Sequence, residues 1–237
     1  PRQRAGHPGG AIEEGTERLL RKNVAMLNTI SGDRLRNEIE LLLKEDLPEK
    51  ALSRADELGV LRQVHRSLKS TDEIAERFAE ARQRYIASPA LYFALLTYDI
   101  GREDAEALSE RLNLSGEWKR ILLGTAKMSN DIYKLADPAI SASNIYRLLK
   151  RYPVEAVSAC FLCNESRIVR SQIERYLKEL QYVRIRLNGN ELKLMGIEPG
   201  PRMGRLLKAI QDAQLDGLAG TREEEETFVR YWLQTHK

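Results

Sequence analysis

The sequence predicts an all-α protein, built as an irregular multi-helix array. Apolar residues recur at intervals of three and four along most of the 237-residue chain, the spacing that places them on one face of a helix. Ser, Thr, Asn or Pro stands before these segments and Gly or Pro after them, where helices begin and end. Strand-like alternation is confined to one short stretch. No signature recurs about every 30 to 45 residues, so a regular helical solenoid is not indicated.

The composition favours a globular protein and leaves its function open. Hydrophobic residues make up 42% of the chain and charged residues 31%, which is enough for one or two cores beneath a well-solvated surface. The net charge is only +3, so any nucleic-acid binding must come from local clusters of basic residues. No run approaches the roughly 20 apolar residues of a membrane span. We therefore expect a cytoplasmic protein with no membrane partner.

The first part of the chain comprises a short tail and a helical domain. Residues 1–10 lack any large apolar side chain and are expected to be disordered or left over from processing. Residues 11–68 show two apolar stripes, which predict an antiparallel helix pair, and then a helix that Pro48 opens and Gly59 ends. Ser31 is expected to cap the second helix of the pair. The stripes comprise Leu19, Leu20, Val24 and Leu27, and Leu35, Ile39, Leu42 and Leu43.

Residues 69–180 form a second predicted helical domain. Ser70 or Thr71 opens its first helix, which is expected to run through Phe78 to Tyr85, and Pro89 opens the next one. Further helices are predicted at residues 103–112, 115–135, 143–150, 153–162 and 166–180.

Residues 181–237 form a helical tail. Residues 182–187, YVRIRL, alternate as a strand does but are too few to build a sheet, so an extended connector is expected. Asn188 then caps a short helix that Gly196 ends, and a Pro-Gly-Pro turn leads into a longer helix whose first residue is Pro201. Thr221, which is followed by four glutamates, predicts a capping box for the last helix.

Basic residues and glycines surround the start of the Pro201 helix. The first turn of a helix has N–H groups without intrahelical partners, which a phosphate can accept. Gly200 and Gly204 would let such a ligand come close, while Glu198 is expected to lie away from it. The segment 181–215 contains six basic residues against three acidic ones, the local clustering typical of phosphate contacts. The six are Arg184, Arg186, Lys193, Arg202, Arg205 and Lys208.

This basic cluster can be interpreted either as a nucleic-acid site or as an ordinary surface. No aromatic residue interleaves with the arginines, which favours a duplex backbone over stacked single-stranded bases. Alternatively, the Pro-Gly-Pro segment is only a turn and the arginines are a solvated face. The spacing alone leaves both interpretations open.

No catalytic or metal site is recognisable in the sequence. Cys160 and Cys163 are the only cysteines, and the three histidines, His7, His65 and His236, are scattered, so four zinc ligands are not assembled. We expect both cysteines to pack in the core. A Ser-His-Asp grouping and a phosphate-binding loop of known pattern are also missing.

Three stretches of the sequence, in order, carry a family resemblance. They are TISGDRLRNEIELLL at residues 29–43, SNIYRLLKRYPVEA at residues 143–156, and ELKLMGIEPGPRMGRLLKAIQDAQLDGLAGTREEEETFV at residues 191–229. They resemble the neck, body and tail of the bacterial class II tRNA nucleotidyltransferase and poly(A) polymerase family, the CCA-adding and A-adding enzymes. The resemblance assigns residues 11–68 to a neck, 69–180 to a body and 181–237 to a tail. It also implies that Arg34 and Glu38 brace the neck, where an ordinary surface ion pair is the alternative.

The resemblance implies a tRNA-binding role. Residues of the tail would hold the acceptor arm and elbow of tRNA while a catalytic head adds CCA or A. The GGxVRD, DxD and EDxxR patterns of that head do not occur in this sequence. Mg²⁺ and CTP or ATP are therefore expected only with a head, in the same longer chain or in trans.

The chain alone is accordingly predicted to be an inactive binding module, and the choice between CCA and A addition stays open. The alternative is an α-helical protein-interaction scaffold that retains the fold without binding RNA.

Overall fold

The computed structural model describes residues 29–84 and 86–235, and within them the protein is helical without β-strands. This confirms the predicted all-α class. Thirteen α-helices occur in the described residues: α1 Gly32–Leu42, α2 Pro48–Glu57, α3 Val60–Val64, α4 Asp72–Gln83, α5 Pro89–Leu96, α6 Arg102–Arg111, α7 Gly116–Asp131, α8 Ala142–Leu149, α9 Val154–Cys163, α10 Arg167–Lys178, α11 Gly189–Leu194, α12 Pro201–Leu215 and α13 Arg222–Thr235. Two 3₁₀ turns, Ile132–Leu135 and Leu180–Tyr182, lie between them.

Most predicted helices are confirmed to within one or two residues. The largest differences are α3, which the sequence did not indicate, and α7, which ends at Asp131 and continues as a 3₁₀ turn. The expected disorder of residues 1–10, the stripe from Leu19 to Leu27 and the residue Tyr85 lie outside the described residues.

The chain divides into two compact units, Pro1–Lys127 and Met128–Lys237. The boundary falls inside the segment assigned to the body. The division into neck, body and tail stays a prediction, because it comes from the resemblance and not from compactness.

In the first unit, the start of α1 packs closely against the end of α6. A Cβ atom at Gly32 would lie 2.6 Å from the carbonyl oxygen of Arg111, so only glycine fits there. Arg111 donates to the carbonyl of Ile30 and Arg36 donates to the carbonyl of Asn113. Ser31 occupies the N-cap position as predicted, but its side chain makes no capping hydrogen bond.

The predicted neck residues Arg34 and Glu38 are both exposed on α1. The helix's ion pairs in the described residues are those of Arg36, with Asp33 at 2.9 Å and Glu40 at 3.6 Å. The bracing role of Arg34 and Glu38 therefore stays a prediction.

The second unit contains a separate apolar cluster formed by the tail. It joins the connector, α11, α12 and α13, and leaves one face of α12 in solvent. Its buried members are Leu187, Leu192, Ile197, Met203, Leu206, Ile210, Val229 and Trp232. Elsewhere in this unit Cys160 is fully buried, which confirms its predicted core position, and Cys163 is half-buried.

Candidate nucleic-acid interface

The short helix α11 begins with a complete capping box. The Asn188 side chain accepts the N–H of Asn190 at 2.9 Å and of Glu191 at 3.2 Å, and Glu191 accepts the N–H of Asn188 at 2.8 Å. This confirms Asn188 as the cap. The hydrogen bond from the Asn188 backbone, reinforced by Arg222, holds the pKa of Glu191 below its ordinary value. Gly196 follows with φ 85°, the left-handed conformation predicted for the residue that ends this helix.

The loop between α11 and α12 turns at Gly200. This residue is the N-cap of α12 with φ 153°, a conformation that side chains disfavour, and Pro201 is the first helical residue as predicted. Beside the loop lies a pocket of about 530 Å³, whose lining includes Arg202 and Leu233. Glu198 is among the residues that line it, and the expectation that its side chain points away from a bound phosphate stays a prediction.

One face of α12 is buried and the opposite face is exposed. Met203 and Leu206 belong to the apolar cluster, whereas Gly204 lies on the solvent side. A Cβ atom built at Gly204 would meet no atom within 4 Å. Glycine in a helix costs roughly 1 kcal/mol relative to alanine, and here packing within the protein does not require it. The exposed face carries Arg202, Gly204, Arg205 and Lys208, which the structure thus brings together.

The basic residues of α12 differ in the contacts that their side chains make. The Arg202 guanidinium lies 5.9 Å from the centre of the Trp232 ring. An aromatic residue therefore does neighbour the arginines in space, although Trp232 is 8% exposed and cannot stack on a base. Among the described residues, neither Arg205 nor Lys208 has an ion-pair partner. Their charge is available to a ligand.

The remaining predicted basic residues lie on the connector and α11. Burial alternates along residues 183–187, with Arg184 and Arg186 exposed, as expected for two side chains on one face. The Arg184 guanidinium turns back to donate to the carbonyls of Gln181 at 2.8 Å and Val183 at 2.9 Å. Lys193 is exposed on α11. The RNA-binding role of these three residues stays a prediction.

A buried glutamate positions the connector, and sequence reasoning missed it. Glu225 is fully buried and accepts the N–H groups of Arg186 at 3.0 Å and of Leu187 at 2.8 Å. The carboxylate thus fixes the backbone that presents the Arg186 side chain. A signal was available, because Glu225 precedes the apolar Val229 and Trp232 by four and seven residues, the spacing of the buried face.

The neighbouring Glu224 confirms the predicted capping box of the last helix. It accepts the N–H groups of Thr221 at 2.9 Å and Gly220 at 2.7 Å, while the Thr221 hydroxyl accepts the Glu224 N–H at 3.2 Å. These backbone hydrogen bonds lower the pKa of Glu224.

The first unit brings Ser67, His65 and Asp104 together, but not as a catalytic group. Ser67 Oγ donates to Asp104 at 2.5 Å, which lowers the pKa of that carboxyl, and His65 Nδ1 accepts the backbone N–H of Ser67 at 3.2 Å. The serine proton therefore points to a carboxylate that is already an ion-pair partner of Arg66. This arrangement braces a turn and does not activate a nucleophile.

The described residues contain neither a metal-binding cluster nor a membrane-spanning helix. No group of three or more His, Cys, Asp or Glu side chains is arranged to hold a metal ion in the described part of the chain. Of the helices the structure describes, none combines the length and apolar character needed to span a membrane.

One protein family and several individual proteins resemble this chain in sequence. Residues 11–71 match the family described as the probable RNA and SrmB-binding site of polymerase A. The A-adding tRNA nucleotidyltransferase of Geobacter sulfurreducens is 28% identical over 242 residues, which cover 94% of this chain and 27% of that protein. The CC-adding tRNA nucleotidyltransferase of Thermus thermophilus is 42% identical over 65 residues, or 27% of this chain and 15% of that protein.

Solved structures share the fold. The Thermotoga maritima CCA-adding enzyme complexed with tRNA matches with a TM-score of 0.71 and 24% identity, over 93% of this chain and 57% of that one. A CCA-adding enzyme in complex with CTP matches with a TM-score of 0.71 and 23% identity, over 95% of this chain and 56% of that one. The chain thus spans 27% of the A-adding relative and little more than half of the solved enzymes.

The chain thus shares the all-α fold of a helical region of the solved CCA-adding enzymes. The chain is similar to proteins of the tRNA nucleotidyltransferase family, as the three motif stretches indicated.

Proposed function

We propose that the exposed face of α12 binds the phosphate backbone of tRNA. The observation that carries the proposal is the exposed Gly204, which packing does not explain, beside Arg205 and Lys208, which lack carboxylate partners in the described residues. A bare helix backbone flanked by cations allows close approach of an anion and supplies charge to hold it. Phosphate contacts of this kind fix the orientation of a nucleic acid without reading its sequence.

The similarity to tRNA nucleotidyltransferases supports a wider role. The matched relatives are named for adding A or CC to tRNA, and one matched structure contains tRNA. We propose that this region positions the acceptor arm and elbow of a tRNA in the cytoplasm for a catalytic head, which would lie in the same longer chain or act in trans. Mg²⁺ and CTP or ATP would bind to that head, and these 237 residues alone would not transfer nucleotides.

A double variant tests the phosphate contacts. Arg202→Ala with Arg205→Ala should lower the slope of log K against log [KCl] for tRNA by about two, because each lost phosphate contact removes about 0.9. The same slope predicts roughly thirtyfold weaker binding at about 150 mM KCl. Fluorescence anisotropy of labelled tRNA across a KCl series measures both quantities.

A matched double variant controls for net charge. Arg102→Ala with Arg120→Ala removes the same charge from exposed positions of the first unit and should leave the slope unchanged. If both double variants behave alike, the α12 face is not the site. If the unmodified chain binds tRNA without salt dependence, or not at all, the protein-interaction scaffold becomes the better account.

A further inference from the structure

Helix α13 has an exposed apolar face beside the turn that follows α12. Tyr231 on the helix is 64% exposed and Leu218 on the turn is 72% exposed. With Thr227 and Phe228 they line a groove of about 460 Å³. Thr227, Phe228 and Tyr231 lie within about one turn of each other, so they form one continuous stripe. The buried residues of α13 contact the apolar cluster on the other side of the helix, which leaves Thr227 and Tyr231 in solvent.

The backbone fixes Leu218 in its exposed position. Gly217 takes the left-handed conformation with φ 76°, and the Leu218 N–H donates to the carbonyl of Ala213 at 2.8 Å. At this position of a helix-ending turn, an apolar side chain commonly packs back onto the helix. Leu218 lies instead in the groove beside α13. Adjoining exposed apolar groups of this kind are typical of a surface that binds another protein.

Acidic and basic groups border the stripe at opposite ends. Near the start of α13, Glu223 is exposed and forms no ion pair among the described residues. Glu224 accepts two backbone N–H groups through Oε2, so Oε1 is available to another donor. Two turns further along, the Arg230 side chain is 67% exposed, and its partner Glu226, at 3.6 Å, also pairs with a second arginine. The face thus begins with unpaired negative charge and ends with positive charge that is only partly compensated.

This order of charges is complementary to itself when it is reversed. Glu223 and Arg230 are seven residues apart, which places them on the same side of the helix to within about 20°. The same is true of Glu224 and Tyr231. If two copies of α13 lie antiparallel with a two-fold axis beside Thr227, residues equally far from that axis face each other. Glu224 of one copy then faces Tyr231 of the other, and Glu223 lies within about 3 Å, measured along the helix, of the level of Arg230.

We propose that the exposed face of α13 is a homodimer interface, in which it binds the same face of a second copy of this chain in antiparallel orientation. Every contact in a two-fold interface occurs twice. One apolar stripe therefore covers the other, and two Glu223–Arg230 ion pairs and two hydrogen bonds from Tyr231 to Glu224 form at its edges. A carboxylate alone would fit any basic partner, whereas the arginine two turns further on favours a second copy. None of the basic residues of α12 takes part, so the dimer forms without RNA.

The interface is small, so the dimer dissociates readily. Helix α13 has 14 residues and is therefore about 21 Å long. One such face from each copy buries less than about 1,200 Å² in total, as in weak and transient complexes. We expect a dissociation constant on the order of 10–100 µM.

Charge reversal tests this arrangement in the full chain without RNA. Glu223→Arg and Arg230→Glu should each weaken the dimer about tenfold, because each variant replaces two attractive pairs by two repulsive ones. Sedimentation velocity across a series of protein concentrations measures the dissociation constant. Glu106→Arg on α6 is the matched control, since it reverses a carboxylate that is 54% exposed and paired within its own helix, and it should leave the constant unchanged.

Recovery of the dimer tests whether Glu223 faces Arg230. The double variant with Glu223→Arg and Arg230→Glu again places opposite charges opposite each other and should dimerise as the unmodified chain does. An equimolar mixture of the two single variants should form a heterodimer at least about tenfold tighter than either variant forms with itself.

Tyr231→Ala tests the apolar stripe separately from the charges. It removes the largest exposed apolar group of the face and should weaken the dimer about tenfold. The melting temperature of the monomer should change little, because the ring is 64% exposed. Melting curves of all variants, followed by circular dichroism, show that each is folded at the temperature of the measurement.

Three results would overturn the proposal. A chain that stays monomeric up to about 500 µM, well above the expected dissociation constant, excludes the homodimer, and the face would then suit a different protein. A dimer that Glu223→Arg weakens no more than Glu106→Arg does not use α13. Losses in both single variants without recovery in the double variant or the mixture contradict the antiparallel arrangement.

Discussion

Arginines serve two different purposes in the two units. In the first unit, Arg82 of α4 donates to Glu49 at 3.0 Å and to the Tyr92 hydroxyl at 3.2 Å. The hydrogen bond that Arg82 donates to Glu49 raises the pKa of the guanidinium, which stays charged. On α12 of the second unit, Arg205 is exposed and has no carboxylate partner in the described residues.

The comparison of Arg82 with Arg205 distinguishes charges that stabilise the fold from charges that are available for binding. The Glu49 carboxylate on α2 and the Tyr92 hydroxyl on α5 fix the Arg82 side chain, and Tyr92 is itself stacked on Phe78 at 4.3 Å. Removing such a group disturbs packing, whereas removing an exposed, unpaired charge has little effect on stability. We therefore expect loss of Arg82 to affect stability and loss of Arg205 to affect RNA binding.

The largest expected loss of stability is at Arg82. Arg82→Ala leaves the Glu49 carboxylate without its partner in a site where the two side chains are 28% and 15% exposed. We expect the free energy of unfolding to fall by about 2–3 kcal/mol, somewhat less than for a fully buried pair. Urea denaturation measures the loss. tRNA affinity, measured below the unfolding transition, should be unchanged; a lowered KCl slope would show that Arg82 is not purely structural.

A smaller loss of stability is expected at Glu225, which both stabilises the fold and positions the backbone of Arg186. Glu225→Gln replaces a carboxylate that accepts two backbone N–H groups by a neutral amide with one acceptor atom, and should lower the free energy of unfolding by about 1–2 kcal/mol. Freeing the connector should also weaken the contribution of Arg186 to binding. The control is Glu223→Gln on the exposed side of the same helix, for which we expect a change within about 0.5 kcal/mol. Equal effects of the two variants would contradict the role assigned to Glu225.

Local signals in the sequence predicted most of the fold because they act over a few residues. Asn188, Pro201 and Thr221 mark helix starts through backbone groups within one turn, and the structure has a helix beginning at or next to each. The stripe of Met203, Leu206 and Ile210 faces the core for the same reason.

Contacts between distant residues were beyond such reasoning. The Glu225 carboxylate meets a backbone 38 and 39 residues earlier in the chain. The hydrogen bonds of Tyr146 with Gln211 and of Ser143 with Asp216 join residues more than 60 positions apart, which spacing alone could not connect.

Gly204 tests the central claim most directly, because its two expected effects have opposite signs. Gly204→Ala and Gly204→Leu should raise the free energy of unfolding by roughly 0.5–1 kcal/mol, since both are better helix formers and the position has open space. Both should weaken tRNA binding, Leu more than Ala, by blocking close approach of the phosphate. Ala107→Leu, on an exposed position of α6, controls for added bulk. A more stable protein with progressively weaker tRNA binding is the predicted result; a more stable protein that binds tRNA with unchanged affinity would contradict a phosphate-binding face on α12.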